Sequence, residues 1–376
     1  MAVTVREITA RNDLRRFVEF QYELYRNDPN WVPPLRSDTW AIITGKNNPL
    51  FGLGPHALFL AEDERGKVVG RIMTAIDNEL NHARHQKWGY FALFETVNDP
   101  EVAAALLHKA EHWCRVNGCE VCRGPVSPDN GDDYRGLLIL GHDTPPVLMD
   151  SYNPPYYADL IEACGYAGDG NDRLAYRFEI AEATQPQTER VIEYARKRYR
   201  FRVDRADLKN LEREFAALKH VIDMSMPEWP DMVPPTLDEL RQMAKKIVPV
   251  ADPDFLLIAR AEETNEPIGF LIGLPDYNQV LKHLGGRLFP FGWLKYLWYK
   301  RKINVLRIFV LFVVPAYQKK AVSHAMFLDA FNACKRKRYV WVEGSTIVEQ
   351  NEPMNRDAVG AGGKLYKKFR TYEKAV

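Results

Sequence analysis

The chain alternates short apolar runs with stretches of helical periodicity. Residues 57–62 and 68–76 are apolar runs on either side of the turn Asp63-Glu-Arg-Gly66, a pattern that predicts a β-hairpin. A third run at residues 89–94 predicts another strand. The longest apolar run, residues 308–314, is far shorter than the ~20 residues that a membrane-spanning helix needs. We therefore expect it to form a buried strand.

A helix is predicted directly after the third strand. Asp99 suits its N-cap, Pro100 its first turn, and Gly118 the position after its C-terminal end. Apolar side chains recur at helical spacing at Val102, Leu106, Ala110 and Trp113. A short strand at residues 121–123 follows. The order β-α-β-β-β-α-β-α-β predicts an α/β fold (α+β, with a mixed sheet) that carries helices on both faces.

This pattern of elements occurs twice. Three segments recur in the same order: Val5-Arg-Glu-Ile-Thr-Ala-Arg-Asn-Asp-Leu14 as Val203-Asp-Arg-Ala-Asp-Leu208, Asp28-Pro-Asn-Trp-Val-Pro-Pro-Leu35 as Pro230-Asp-Met-Val-Pro-Pro-Thr-Leu237, and Val69-Gly-Arg-Ile72 as Ile268-Gly-Phe-Leu271. The offsets, measured from Val5, Val32 and Gly70, are 198, 201 and 199 residues. Such a period is too long for a solenoid and predicts two copies of one domain. We expect an N-terminal domain at residues 1–180 and a C-terminal domain at residues 181–376, with an insertion at residues 277–303.

The overall charge of +1, from 51 basic and 50 acidic residues, hides an asymmetry. Residues 277–328 contain no Asp or Glu and carry nine Lys or Arg, which leaves 42 basic and 50 acidic residues, or −8, in the rest of the chain. This basic segment favours a phosphate-bearing ligand, an anionic membrane surface, or both. The alternative is a solvated basic face. The balanced total gives no reason to expect nucleic acid as a partner.

Composition and cysteine usage narrow the class of protein. A hydrophobic share of 46% and a charged share of 27% exclude a disordered chain, a collagen-like repeat and a disulfide scaffold. Five cysteines and no secretory signal at residues 1–10 favour a reducing compartment, so we expect a cytoplasmic protein. No metal is expected, because Cys119-Glu-Val-Cys122 has no second cysteine pair.

The second copy carries motifs of a known superfamily. The stretch Val313-Val-Pro-Ala-Tyr-Gln-Lys-Lys-Ala-Val-Ser323, the residue Asn351 and the stretch Gly363-Lys-Leu-Tyr-Lys-Lys-Phe369 resemble motifs of the GNAT superfamily of acyl-CoA-dependent N-acyltransferases. The family loop is Arg/Gln-x-x-Gly-x-Gly/Ala. Gln318 matches it, whereas Ala321 and Ser323 stand in place of the glycines. With the element order and the repeat, this resemblance implies tandem GNAT-like domains.

A narrower resemblance covers nearly the whole chain. Five motifs carry it: Phe51-Gly-Leu-Gly-Pro-His56, Val69-Gly-Arg-Ile72, Arg123-Gly-Pro-Val-Ser-Pro128, Arg135-Gly-Leu-Leu-Ile-Leu-Gly-His-Asp143 and Tyr152-Asn-Pro-Pro-Tyr-Tyr157. They look like those of a long GNAT-related group that includes bacterial ceramide synthases. The resemblance implies transfer of a fatty acyl chain from a long-chain acyl-CoA to the amine of a sphingoid base such as 3-ketosphinganine.

The donor site is expected in the second copy. Backbone N–H groups at a helix N-terminus bind pyrophosphate, and small residues allow close approach. The predicted acyl-CoA-binding residues are Val313, Val314, Gln318, Lys319, Lys320, Ala321, Val322, Ser323 and Asn351. At the corresponding point the first copy has Asn98-Asp-Pro-Glu101, where Pro100 lacks an N–H and two acids would repel phosphate. An ordinary basic helix start remains the alternative reading of the second-copy loop.

Aminolysis of a thioester needs a base for the amine and a proton for the leaving thiolate. Tyr366 matches the family tyrosine that protonates the thiolate; alternatively, it packs on the last helix. Glu343, at the end of an apolar run, is a candidate base or merely an exposed side chain. In the first copy, Asp133 and His142 are further catalytic candidates. Asp132, Tyr134, Tyr152, Asn153 and Tyr157 are the predicted acceptor-binding residues.

Residues 284–302 have no counterpart in the first copy. They combine six aromatic residues, namely Phe289, Phe291, Trp293, Tyr296, Trp298 and Tyr299, with a basic end. Aromatic anchors beside Lys and Arg are typical of interfacial membrane helices, whereas a helical cap over the domain core is the alternative. The segment also separates hypotheses, because an N-acetyltransferase acting on a small-molecule or protein amine needs no such surface. A non-catalytic CoA- or lipid-binding module is the third hypothesis, favoured by Ala321 and Ser323.

Overall fold

The computed structural model describes residues 3–46, 48–129, 131, 133–182, 186–226 and 232–376. Pro230 and Asp231 of the second repeat segment lie outside these ranges. The chain divides into two compact units. The first unit comprises Met1–Arg173, Asn278–Arg301 and Lys367–Val376, and the second unit comprises Leu174–Tyr277 and Lys302–Tyr366.

Both units contain strands and helices. The strands are β1 (Thr4–Glu7), β2 (His56–Glu62), β3 (Val68–Ala75), β4 (Trp88–Thr96), β5 (Val121–Gly124), β6 (Leu137–Leu140), β7 (Ala167–Gly168), β8 (Arg173–Glu179), β9 (Phe201–Arg205), β10 (Leu256–Ala261), β11 (Pro267–Pro275), β12 (Val305–Val313), β13 (Trp341–Val348), β14 (Lys364–Arg370) and β15 (Tyr372–Ala375). The helices are α1 (Arg11–Leu24), α2 (Arg36–Ile43), α3 (Leu50–Leu53), α4 (Asn78–Arg84), α5 (Pro100–Val116), α6 (Tyr157–Ala163), α7 (Pro186–Tyr199), α8 (Leu211–Ser225), α9 (Leu237–Ile247), α10 (Asn278–Leu284), α11 (Gly292–Lys300), α12 (Val322–Lys337) and α13 (Glu352–Gly360).

The first unit is built on a mixed sheet of order β1-β2-β3-β4-β5-β15-β7. Its neighbours pair antiparallel except for β4 and β5, which run parallel. Helix α5 supplies much of the core, because Val102, Leu106 and Ala110 are fully buried against the sheet. Asp99 caps α5 by accepting a hydrogen bond from the Glu101 N–H at 2.9 Å, as predicted.

The second unit repeats this arrangement. Its strands β8 to β13 follow the order β8-β13-β12-β11-β10-β9; β12 and β13 are parallel, and the pairs β12–β11, β11–β10 and β10–β9 are antiparallel. Helices α8 and α12 pack on this sheet, and α12 buries Ala325, Met326 and Phe331. The predicted hairpin, third strand and helix are confirmed in both copies, as β2, β3, β4 and α5 and as β10, β11, β12 and α12. The mixed α/β tandem fold is therefore confirmed.

Two segments group differently from the predicted domains. Strand β15, near the C-terminus, pairs with β5 from Tyr372↔Gly124 to Ala375↔Val121, so it belongs to the first unit. Residues 278–301 also belong to the first unit. There the Asn278 side-chain amide donates to the Pro146 carbonyl at 3.0 Å, and Val280 and Leu284 are buried. Both groupings rest on contacts between residues far apart in sequence.

Candidate functional site

Strands β12 and β13 are paired over only part of their length. Their parallel register runs from Val305↔Trp341 to Ile308↔Gly344, while β12 continues to Val313. On its other side β12 stays paired with β11 as far as Gly269↔Val313. The second half of β12 therefore parts from β13, and its side chains at residues 309–312 are half-buried.

The loop after β12 leads into an uncapped helix. The Gln318 side chain donates to the Val313 carbonyl at 3.2 Å, which closes the loop back on the strand. Lys319 and Ala321 take left-handed backbone conformations with φ of 61° and 60°, and α12 begins at Val322. No side chain caps α12. Its first-turn N–H groups, together with the helix dipole, can therefore bind an anion.

Except for Asn351, the predicted donor residues lie at the end of β12, in the loop and at the start of α12, with two qualifications. Lys320 lies with its Nζ 4.6 Å from the Tyr317 ring centroid, so its ammonium stays beside the loop. The Ser323 hydroxyl donates to Asp357 Oδ2 at 2.6 Å, so it is engaged within the protein. Asn351 is the N-cap of α13 and accepts from the Met354 N–H at 3.3 Å. A surface cavity of about 170 Å³ adjoins α12 at His324, Phe327 and Phe331.

The corresponding place in the first unit is already filled by its own side chains. The Thr96 N–H at the end of β4 donates to the Tyr157 hydroxyl at 2.8 Å, and the Tyr156 hydroxyl donates to the Thr96 carbonyl at 2.9 Å. The following helix, α5, has the Asp99 carboxylate on its N-terminus and Pro100 in its first turn. The backbone groups of Thr96 and the Glu101 N–H, which could contact a ligand, therefore already have partners within the first unit.

Glu343 lies inside the second unit rather than at its surface. It is fully buried on β13, directly across from Arg307 on β12. Its Oε1 is 3.8 Å from Arg307 Nε and accepts a hydrogen bond from the Ser345 hydroxyl. The exposed alternative for Glu343 is thus wrong. A role as base stays a prediction, one that requires this buried carboxylate to exchange a proton.

Tyr366 lies on a strand and not on a helix. It belongs to β14, half-buried, with its ring 5.9 Å from that of Trp341 in an edge-to-face contact. Trp341 in turn stacks beneath the Arg177 guanidinium, whose Cζ is 4.5 Å from the ring centroid. The alternative that placed Tyr366 on the last helix is wrong, because residues 364–370 form strand β14. This strand pairs with β6 from Lys368↔Leu140 to Arg370↔Leu137.

A buried lysine holds part of the predicted acceptor loop of the first unit. Asp132 lies outside the described residues, and the Ser127 hydroxyl donates to the neighbouring Asp133 at 3.4 Å. Lys367 is fully buried and donates to the carbonyls of Gly141 and Thr144 at 3.2 and 3.0 Å, on either side of His142. Burial first, and the Lys367 charge in addition, lower the pKa of His142, so its imidazole is neutral at neutral pH.

The remaining acceptor candidates differ in exposure. Tyr134 is exposed and has a left-handed backbone with φ of 52°. Asn153 is buried and holds β6 in place, accepting from the Leu138 N–H at 2.7 Å and donating to its carbonyl at 3.1 Å. The Tyr152 hydroxyl donates to Asp28 Oδ2 at 2.8 Å. These contacts bring the stretch 152–153 next to the loop that begins at Asp28.

Sequence reasoning missed a buried polar cluster around Glu95. The hydroxyls of Tyr25 and Tyr157 donate to Glu95 Oε2 at 2.6 and 2.8 Å, and Arg71 Nη2 lies 3.7 Å from Oε1. Arg71 is fully buried and donates to the Phe17 carbonyl at 2.7 Å. Burial raises the pKa of Glu95 despite the guanidinium. The sequence did contain a sign of this cluster: Arg71 is a charged residue inside the apolar segment Val69-Gly-Arg-Ile72.

The described residues show neither a cluster of metal ligands nor a helix suited to span a membrane. Within the described ranges, no group of three or more His, Cys, Asp or Glu is placed to hold a metal ion. None of the helices that the structure describes combines the length and the apolar character needed to cross a bilayer.

Comparison with known proteins shows the family. The chain is 31% identical over 382 residues to Protein YghO of Escherichia coli (strain K12), covering 99% of this chain and 95% of that protein. It is 30% identical over 376 residues to Bacterial ceramide synthase of Caulobacter vibrioides (strain NA1000 / CB15N), covering 97% of this chain and 95% of that protein. No protein-family model matches the chain.

Solved structures agree on the fold. A tandem GNAT protein from the clavulanic acid biosynthesis pathway has a TM-score of 0.61 at 10% identity, with 100% of this chain and 98% of that chain covered. A GCN5-related glucosamine N-acetyltransferase region of a fungal multi-domain GH3 β-N-acetylglucosaminidase has a TM-score of 0.59 at 15% identity, covering 99% of this chain and 38% of that chain. Together with the two relatives, they show that the chain belongs to the tandem-domain group of GNAT-superfamily acyltransferases that includes bacterial ceramide synthase.

Proposed function

We propose that the chain transfers a fatty acyl group from a long-chain acyl-CoA to the amine of a sphingoid base such as 3-ketosphinganine. The observation that carries the donor half is the uncapped N-terminus of α12, next to Lys319 and Lys320 and beyond the point where β12 and β13 part. The acceptor half is supported by the relative named bacterial ceramide synthase, at 30% identity over 97% of this chain. Membership of the family makes the chain an N-acyltransferase. The sphingoid base as acceptor is the more specific part of the proposal.

The second unit has the residues that a CoA thioester requires. The N–H groups of Val322 and Ser323 and the ammonium groups of Lys319 and Lys320 would hold the pyrophosphate, and Gln318 fixes the loop on Val313. Val313 and Val314 end the parted strand, and Asn351 orders the start of α13. The thioester supplies an activated acyl carbon. The first unit, with its Thr96 backbone and α5 N-terminus already satisfied, suits the acceptor rather than the donor.

Amide formation requires two proton movements. The acceptor nitrogen forms a bond to the acyl carbon and loses a proton, while the C–S bond breaks and the sulfur gains one. Tyr366 is the proposed acid for the sulfur. Glu343, Asp133 and His142 are the proposed bases. His142 is neutral at neutral pH, because burial and the Lys367 charge lower its pKa, so its imidazole can accept a proton.

The acceptor side rests on the first unit. Asp132, Tyr134 and Tyr152 are the proposed contacts for the amine and its neighbouring polar groups. Asn153 and Tyr157 are buried, so they would act by holding β6 and the end of β4 in place. An exposed aromatic surface at residues 289–298 suits a lipid acceptor and peripheral association with an anionic membrane, on its inner, cytoplasmic face.

The first experiment tests the reaction itself. Purified protein given palmitoyl-CoA and sphinganine or 3-ketosphinganine should release free CoA and form the amide, measured by mass spectrometry. Acetyl-CoA with a soluble polyamine is the matched comparison. If that pair turns over faster, an N-acetyltransferase of small amines replaces the proposal. If CoA binds but no thioester is consumed with any amine, the non-catalytic module replaces it.

The second experiment tests the proposed acid. Tyr366→Phe should lower kcat by ~10²–10⁴-fold, as for a proton-transfer group, and change KM much less. The reason is that the hydroxyl matters only as the thiolate leaves. Tyr176→Phe is a matched control, because that tyrosine donates to Asn355 in the same unit at 3.0 Å. A Tyr366→Phe enzyme with unchanged kcat would remove Tyr366 from the chemistry.

A further inference from the structure

Helix α11 exposes nearly all of its apolar side chains. None of its nine residues is buried. Trp293, Leu294, Leu297 and Trp298 are 43, 50, 52 and 60% exposed, and Phe289 and Phe291 just before the helix exceed 70%. These four helical positions share one face, because they recur at i, i+1, i+4 and i+5. A continuous aromatic and aliphatic face of this kind marks an interaction surface.

Positive charge surrounds this face, and acidic residues are absent from the whole segment. Arg287, Lys295, Lys300, Arg301 and Lys302 are all exposed. The sequence from Tyr277 to Leu328 contains no Asp or Glu. Tyr296 and Tyr299 are half-buried, and the Tyr299 ring stacks on His283 of α10 with centroids 3.7 Å apart. The helix is thus fixed on its tyrosine side and presents tryptophan and leucine outward.

A tight joint holds this segment to α1 and α2 of the first unit. The backbone N–H of Arg36 donates to the Gly286 carbonyl at 3.0 Å, and its guanidinium donates to the Gly285 carbonyl at 2.9 Å. The same guanidinium makes two bonds to the Glu19 carboxylate, at 2.7 and 3.0 Å, and stacks 3.5 Å from the Tyr22 ring centroid. One arginine therefore joins α1, α2 and the segment.

Gly286 is required by this joint. Its φ is +76°, and a Cβ there would lie 2.5 Å from the Tyr22 ring and 2.7 Å from Arg36 Nη1. A second bond, from Lys282 Nζ to the Pro29 carbonyl at 2.7 Å, ties α10 to the loop after α1. A flexible tether would need neither contact. The segment is built as a rigid support for α11.

We propose that residues 278–301 form a docking arm that places α11 on an anionic lipid bilayer and that the first unit carries this arm. The inference deepens the proposed function, on which it rests for the lipid nature of the acceptor. The charge pattern argues for lipid: tryptophan sits at the headgroup level, and lysine and arginine meet anionic headgroups. It would place the acceptor-side unit at the membrane, where a long-chain amine is found.

Vesicle binding in the absence of acyl-CoA and amine tests the arm separately from the reaction. The protein should co-sediment with mixed phosphatidylglycerol–phosphatidylcholine vesicles, and salt should weaken the binding. Trp293→Ser with Trp298→Ser should reduce partitioning roughly tenfold or more. Val191→Ser with Tyr194→Ser is the matched control, because those α7 side chains are 64 and 68% exposed. Equal loss in both variants, no binding of the wild type, or equal binding to pure phosphatidylcholine would each overturn the proposal.

The joint has its own test, by limited trypsin digestion of the full chain. Arg36→Ala should raise the rate of tryptic cleavage after Arg287 and Lys295 several-fold. It should also weaken vesicle binding. Arg16→Ala is the matched control, because it removes ion pairs from α1 to Asp13 on the same helix and to Glu62 on β2, without touching the arm. Unchanged cleavage at Arg287 in Arg36→Ala would overturn the assignment of the arm to the first unit. Because neither assay uses the reaction, their failure and the failure of the proposed chemistry are told apart.

Discussion

At the scale of single residues, the two copies differ in chemistry at one pair of facing positions. Arg71 on β3 faces Glu95 on β4, and the equivalent positions on β11 and β12 hold Phe270 and Phe312, with ring centroids 5.7 Å apart. The first unit thus has an arginine and a carboxyl side chain where the second has two aromatic rings. Polar side chains inside a protein add little stability over a well-packed hydrophobic pair, so packing alone does not account for Arg71 and Glu95.

The buried carboxyl predicts an unusual pH dependence of stability. Burial raises the pKa of Glu95 above its ordinary value of 4.5 in the folded state. The folded chain then holds a proton that the unfolded chain loses, so this contribution to stability is full below pH 4.5 and declines as pH rises through the raised pKa. The decline should approach about 1.4 kcal/mol per pH unit within that window.

Comparing wild type with Glu95→Gln isolates this effect. Thermal unfolding from acid to neutral pH should show the stability of the wild type falling relative to the variant. Above the raised pKa the difference between the two should become constant. A difference that instead grows in favour of the wild type with rising pH would mean that the Arg71 charge, and not burial, governs Glu95.

At the residue scale, the sequence shows which residues a local motif brings together and does not show contacts between distant residues. Gln318, Lys319 and Ala321 lie together because they are within four residues of one another in the sequence. Tyr25, Glu95 and Tyr157 meet from α1, β4 and the start of α6, and no periodicity records that meeting. The polar character of Arg71 within an apolar strand was visible, but its partner was not.

At the scale of elements, the helix after the third strand separates the two units. Both α5 and α12 follow a strand that begins a parallel pair, yet α5 starts with a carboxylate cap and a proline, and α12 starts uncapped after Lys319 and Lys320. The same element in the same fold thus has opposite electrostatic character at its N-terminus. Capping residues and proline are sequence features, so this difference was predictable.

Charge reversal at α12 tests the donor site. Lys319→Glu with Lys320→Glu should weaken CoA binding by ~2 kcal/mol or more, because charge-assisted contacts to phosphate would become repulsive. Isothermal calorimetry measures the change. Lys335→Glu with Arg336→Glu is the matched control, since it changes the net charge equally at the exposed C-terminal end of the same helix. Equal weakening by both variants would show a general charge effect and no site at residues 318–323.

Elements were predictable because each follows from a local pattern. The two hairpin strands, the third strand and the capped helix α5 appear within two residues of the predicted bounds. Tyr366 is the exception. Residues 364–370 contain three lysines and an arginine, so their strand character depends on neighbouring strands rather than on their own apolar pattern.

At the scale of the whole molecule, chain order and unit membership diverge. The arm at residues 278–301 is inserted into the second copy by sequence but belongs to the first unit. The joint that decides this connects Arg36 and Gly285, which are 249 residues apart. A repeat in the sequence reveals two copies, but it carries no information on which copy an insertion packs against.

The assignment of donor and acceptor to different units predicts where CoA protects the chain. Hydrogen exchange with and without CoA should show slower exchange at residues 309–325, which span the parted half of β12 and the start of α12. Residues 93–103, the equivalent stretch of the first unit, should not change, because Thr96 and the start of α5 are bonded internally. At a ligand concentration of about 100 Kd, the stabilisation of about 2.7 kcal/mol corresponds to roughly 100-fold slower opening of the protected amides. Protection at residues 93–103 without protection at residues 309–325 would reverse the roles of the two units.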